Sequence, residues 1–389
     1  MQPLLSKRLY YLDWLRVFAV LLLIPYHTGM IFSIADFHIK NKVTSTGITI
    51  VNMFIDNWHM PLFFLLAGAS TWFALNKRRP AAYIKERFSR LFIPLLFGII
   101  IIVPPQTYYE RVQKYGFSGN YFDFYAHLFN GIFPNGNLAW NNLWFLRYLL
   151  IISIAALPLI WHWKSGRGSS YLEGFCTWLA QGHRIFFLGI PLAIIQMSLK
   201  VAFPGPQIVV SDWARILFML CIFLYGALFV SYPGYREAVE RNFTLAFATG
   251  IGIIVLFVGI HYSGYRFVFG YNLPNLLKLG IESLSTLCWL IVLLGFSQRN
   301  LNFSNRFLEY ASEAVLPFYI LHQTVIIVFG YYIVNTDLSL MVKYIIINLL
   351  ALVFTVAIYD TTVKRFGVLR VLFGMPVKAK KRLQPVLSG

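Results

Sequence analysis

Arg16 and His27 lie in one apolar stretch, YYLDWLRVFAVLLLIPYHTGMIFSI, at residues 10–34. The interval between them advances a helix by about three turns, leaving roughly 20° of rotation. The two side chains therefore share nearly one face, about 16 Å apart at ~1.5 Å of rise per residue. An arginine near the centre of a membrane span costs on the order of 3 kcal/mol on insertion scales, so it faces a cavity or a partner. A neutral imidazole, with an ordinary pKa of about 6.5, can take a proton from a hydroxyl near neutral pH. His27 thus reads as a general base with Arg16 as a charged companion on the same face. The alternative is a histidine that only bonds a neighbouring helix. Pro25 cannot donate the bond to Leu21, which predicts a kink just before His27.

Other ionisable residues also fall in apolar surroundings. Asp56 and His59, spaced i,i+3 before Pro61, could face one polar cavity or bond between helices. His322, in LPFYILHQ, is a comparable case, and Glu313 could cap the start of the same helix. Arg147, in LWFLRYLL, falls just inside the outer interface and could read a carboxylate. Arg87 and Arg90 share a helix face if the segment AAYIKERFSR is helical, and a guanidinium fork matches phosphate oxygens. Their alternative is contact with anionic lipid, worth about 1 kcal/mol each. Cys176, Cys221 and Cys288 form no CxxC pair, and no metal-ligand spacing is present. Neither a Walker loop nor GxGxxG, HExxH or GxSxG occurs.

The elements that must position these residues are membrane helices. The chain is 58% hydrophobic and only 12% charged, against about 25% charged in a soluble domain. Ten spans are expected, at about 10–34, 49–75, 91–109, 142–162, 184–203, 211–231, 243–262, 278–297, 312–334 and 342–362. The fold class is all-α, a polytopic bundle with both termini cytoplasmic. Residues 1–9 form a retained cytoplasmic N-terminus, 10–362 the bundle and 363–389 a basic cytoplasmic tail, in one domain over 1–389. Roughly two thirds of the 33 Lys and Arg residues then fall on one side, as the positive-inside rule requires. The net charge of +18 reports topology and gives no reason to expect nucleic acid. An aromatic outer loop at 110–141 could stack on sugar rings or form an interfacial belt.

The segment YLDWLRVFAVLLLIPYH resembles the opening of the membrane-bound acyltransferase-3 family. HMPLFFLLAG, the RxxR of Arg87 and Arg90, NNLWFLRYLL and LPFYILH agree with it in the same order. The likeness runs from about residue 9 to 330. It implies a bacterial inner-membrane enzyme with a cytoplasmic acyl-CoA donor and an extracytoplasmic carbohydrate acceptor, working beside glycan-synthesis machinery. It further implies that Arg87 and Arg90 anchor CoA phosphates. Arg16 would guide the donor, and His27 would act as general base on the acceptor hydroxyl. No metal is implied, and no appended soluble domain is expected.

The expected activity is therefore transfer of an acetyl or succinyl group from acyl-CoA to a glycan hydroxyl. Asp56, His59, Arg147 and His322 would be supporting or substrate residues. The rival reading is a secondary transporter of an anion or an acylated glycan, since intramembrane charges and Pro-kinked helices also occur there. Against it, no paired short, Gly/Pro-interrupted spans stand out in two halves.

Overall fold

The computed structural model describes residues 8–133, 135–205 and 211–377. The expected N-terminal residues 1–7, and the tail beyond residue 377, lie outside the described residues. Helices dominate throughout. The described residues contain no strand, only an isolated bridge between Ile132 and Leu138.

In chain order the helices are α1 (Tyr10–Phe32), α2 (Thr46–Ala74), α3 (Pro80–Tyr115), α4 (Tyr121–Ala126), α5 (Trp144–Ala155), α6 (Leu157–Trp163) and α7 (Gly166–Leu179). Then come α8 (Gly189–Leu199), α9 (Trp213–Ser231), α10 (Gly234–Tyr262), α11 (Leu273–Asn300), α12 (Arg306–Val334), α13 (Leu340–Val363) and α14 (Gly367–Leu372). Eight of these are long and apolar enough to cross a bilayer. Two bent pairs bring the number of crossings to ten if each is one span. One is α5 with α6, bent by 44° at Ala156, and the other is α7 with the segment Arg184–Leu199, bent by 118°.

Several elements run longer than the apolar pattern suggests. The basic segment AAYIKERFSR is continuous with the third span, because Pro80 sits at the first helical position, where its missing N–H is harmless. Within α3 two π-turns, Phe88–Phe92 and Gly98–Ile102, widen the helix. Each is followed within two residues by a proline, Pro94 or Pro104, whose absent N–H removes a ladder bond. The polar run YREAVERN is also helical, forming the first turns of α10. The loop expected at 163–183 contains α7. Pro25 lies inside an unbroken α1, and its carbonyl accepts from the Tyr344 hydroxyl at 3.2 Å.

Caps fix where the long helices begin. Ser45 accepts from Ile48 N–H, Asn272 from Asn275 N–H and Asn305 from Leu308 N–H. Each satisfies a donor that the first turn leaves open.

The core places α2 at the centre, against α1, α9 and α11. Its crossing with α9 is set by two glycines. A Cβ on Gly68 would stand 1.7 Å from the Phe223 carbonyl oxygen, and one on Gly226 would stand 1.8 Å from that of Leu65. Only hydrogen at both positions lets the two backbones meet, as small residues do between membrane helices. α12 packs between α1 and α13, which carries His322 to the face of α1 that holds His27.

Candidate functional site

His27 and His322 meet directly. Their ring centroids lie 4.9 Å apart, and Nε2 of His322 is 3.3 Å from Nδ1 of His27. Two backbone carbonyls assign the protons. Nδ1 of His322 donates to Tyr319 O at 2.7 Å, which leaves its Nε2 as an acceptor. Nδ1 of His27 donates to Leu23 O at 3.0 Å and shares that proton with His322 Nε2. The free lone pair of the couple is then Nε2 of His27. When that nitrogen takes a proton, the Nδ1–H already faces two acceptors that stabilise the imidazolium. A base oriented by a third group is the arrangement nucleophilic activation requires.

His322 is fully buried, and a polar cluster holds its helix in place. Gln106 of α3 donates to Asn142 Oδ1 at 3.1 Å and Thr324 Oγ1 at 2.7 Å, and it accepts from Gln323 at 3.0 Å and Asn141 at 3.0 Å. Asn142 donates to Tyr319 O at 3.2 Å, and the Tyr319 hydroxyl returns a bond to Asn142 O. Asn141 has φ of 36°, a conformation asparagine tolerates better than most side chains. The spacing of ionisable groups does not point to this cluster. Its signal is amides inside apolar spans, where each must find a partner.

Around His27, Tyr26 packs edge-on at 4.9 Å and donates to Asp56 Oδ1 at 3.0 Å. Asp56 thus joins the site through Tyr26. His59 does not open onto the cavity beside Asp56: it is buried, and its Nε2–H donates to Ala19 O at 2.7 Å. The residue is a bond between α1 and α2, the helix-to-helix alternative. Phe37 closes the other side of His27, with centroids 6.0 Å apart.

The loop bearing Phe37 is tied down. Lys40 Nζ donates to the carbonyls of Met30, Ser33 and Ala35, Lys114 pairs with Asp36 at 2.7 Å, and His38 meets Glu110 at 2.7 Å. Burial opposes ionisation of Asp36, but the Lys114 ammonium holds its carboxyl below the ordinary carboxylate value.

Arg16 lies at the other end of α1. Its guanidinium bonds Asp13 Oδ1 at 3.1 Å and Ser70 Oγ at 2.8 Å, and its side chain is 29% exposed. Arg87 reaches the next residue of α2, Thr71, at 3.4 Å, and lies over the Tyr83 ring at 4.7 Å. Two guanidiniums therefore converge on consecutive hydroxyls. Arg90 does not join them. The π-turn begins between Arg87 and Arg90, and Arg90 pairs with Glu86 at 3.3 Å while Arg78 pairs with the same carboxylate at 2.5 Å. Glu313 likewise serves packing, accepting from the buried Arg370 of α14 at 2.9 Å.

Arg147 stands apart from the histidines, over Trp140 at 4.2 Å and Tyr148 at 5.3 Å. The Tyr148 hydroxyl donates to the buried Asp212 at 2.7 Å, which also pairs with Arg215 at 3.4 Å. Among the described residues no cluster of His, Cys, Asp or Glu could hold a metal ion.

The chain that brings this histidine pair and these arginines together matches a known family along almost its whole length. The acyltransferase-3 family, described as "Acyltransferase domain", matches residues 9–360. The chain belongs to that family. This acyltransferase is a multi-pass membrane protein. It is similar to "Glucans biosynthesis protein C" of Salmonella schwarzengrund (strain CVM19633), at 25% identity over 97% of this chain and 98% of the relative. Proteins of the same name from Escherichia coli O139:H28 (strain E24377A / ETEC) and Escherichia coli (strain K12) are each 25% identical, over 86% of both chains. No solved structure gives a significant match.

Proposed function

We propose that this acyltransferase moves an acetyl or succinyl group from acyl-CoA on the cytoplasmic face to a hydroxyl of an extracytoplasmic glycan, across a bacterial inner membrane. The observation that carries the reading is the His27–His322 pair, whose hydrogen bonds leave His27 Nε2 as a base. The relatives' name supports a glucan as the acceptor class, and the basic loops on the side of the termini support the orientation.

Arg16 and Arg87 form the donor end, where guanidinium forks suit phosphate oxygens. In this reading the thioester comes within reach of His27 Nε2. His27 Nε2 accepts the proton of the acceptor hydroxyl as that oxygen attacks the thioester carbonyl. The tetrahedral intermediate expels the thiolate, which takes the proton back from the imidazolium and leaves as free CoA. One ester forms and one thioester breaks.

The test compares His27→Ala with the wild-type chain. Acyl transfer to a glucan acceptor should fall by at least a thousandfold, the upper range for loss of a general base. Stabilisation by acyl-CoA should persist, about 2.7 kcal/mol at 100 times Kd. Full transfer by the variant would remove His27 from the chemistry.

A further inference from the structure

Between α2, α8, α9 and α11 lies an open cavity of about 190 Å³. Its wall combines carboxylates, Asp56 and Glu282, with cations, Lys200 and Arg215, and with the amides Asn57 and Gln196. The geometry points to a carbohydrate-binding subsite that holds one sugar unit of the acceptor, linked to His27 through Asp56 and Tyr26. This inference rests on the reading of the enzyme as a glycan acyltransferase and names where its acceptor sits.

Charge argues for a neutral ligand. Two carboxylates face two cations, so the lining has no net charge to attract an ion. Arg215 is held by the buried Asp212 at 3.4 Å and by the Trp144 ring at 5.2 Å. Lys200 donates to Pro204 O at 3.2 Å, and Glu282 pairs with Lys278 at 3.2 Å. The lining thus combines side chains that donate and accept with the apolar Pro61, Phe218 and Met219. A sugar ring has that complement, with hydroxyls at its edge and C–H groups on its faces.

The wall is also contiguous with the base. Asp56 accepts from the Tyr26 hydroxyl, and the Tyr26 ring lies edge-on to His27. A glycan seated on Asp56 is therefore one side chain away from the histidine pair. The partners of Asn57 further fix the wall. Its amide donates to Glu282 O at 3.1 Å, and Thr286 Oγ1 donates to Asn57 O at 2.9 Å, locking α2 to α11.

The test is binding without turnover. Purified full-length protein is titrated with a neutral glucose oligosaccharide and, separately, with succinate, by calorimetry or saturation-transfer NMR. The oligosaccharide should bind saturably. Glu282→Gln and Gln196→Ala, on different helices, should each weaken binding at least tenfold while the melting temperature and the acyl-CoA-induced shift stay unchanged. His27→Ala should bind the oligosaccharide as the wild-type chain does, so failure of the chemistry and failure of the subsite read out separately. Unchanged oligosaccharide affinity in both folded variants would overturn the assignment. Saturable succinate binding with none of the oligosaccharide would overturn it equally.

Discussion

Arg16 uses two ends of its guanidinium, one on Asp13 and one on Ser70, and this geometry makes it hard to replace. A lysine ammonium is a point charge on a flexible stem and cannot span both partners in one plane. Each hydrogen bond to a charged group is worth roughly 1.5–3 kcal/mol. Arg16→Lys should therefore lower kcat/KM for the donor by about ten- to a hundredfold, at 1.36 kcal/mol per decade. Steady-state transfer at varied acyl-CoA checks this, and an unchanged rate would make Arg16 a structural partner of Asp13. Arg87 and Arg90 should separate in the same assay. Arg87→Ala should raise the donor KM more than Arg90→Ala, because Arg90 is already paired with Glu86. Equal effects would mean that both contact phosphate. At this scale His27 and Arg16 were legible because an ionisable residue in an apolar span is conspicuous. The different partners of Arg87 and Arg90 were not, since i,i+3 spacing assumes an α-helix and the π-turn at Phe88–Phe92 changes the phase.

Helices deliver these residues to one place through contacts that hydropathy does not record. The α2–α9 crossing depends on Gly68 and Gly226, neither of which belongs to an evident GxxxG repeat. The meeting of His27 with His322 depends on α12 lying beside α1, although they are nearly the whole chain apart. Eight long apolar helices can pack in many orders with similar burial, so pattern alone cannot choose the neighbours. Gln106 shows what selects the arrangement, with four amide or hydroxyl partners from α12 and the turn before α5. Gln106→Leu removes all four bonds, while Thr324 still donates to Ile102 O and Asn142 to Tyr319 O. Between membrane helices each such bond contributes on average about 0.6 kcal/mol and at most about 1.7. The variant should lose about 1–3 kcal/mol of stability in detergent and a larger fraction of kcat than of donor affinity, because the loosened helix carries His322. Thermal unfolding together with a kcat-against-KM comparison checks this. A melting loss with kcat intact would show that the cluster only braces the bundle.

Across the whole molecule the proposed reaction makes the separation of the two ends directional. Arg16 and His27 are about 16 Å apart along α1, roughly half of a ~30 Å hydrocarbon core. The polyphosphate of the donor cannot follow its acyl group that far, since charge moved into the core costs several kcal/mol per ion after relaxation. In the proposed reaction it stays at the arginines while the pantetheine arm extends to the histidines. The proposed polarity rests on the excess of basic loops on the side where the sequence places both termini, a charge asymmetry that needs no packing order. In proteoliposomes of one orientation, labelled acyl-CoA supplied on the side of the termini should acylate glucan enclosed on the other side. The same donor supplied with the glucan should give less than a tenth of that rate. Protease sensitivity of a C-terminal tag fixes the orientation of each preparation. Equal transfer from both sides would mean that the donor reaches His27 from the acceptor face, and the arginine pair would then need another role.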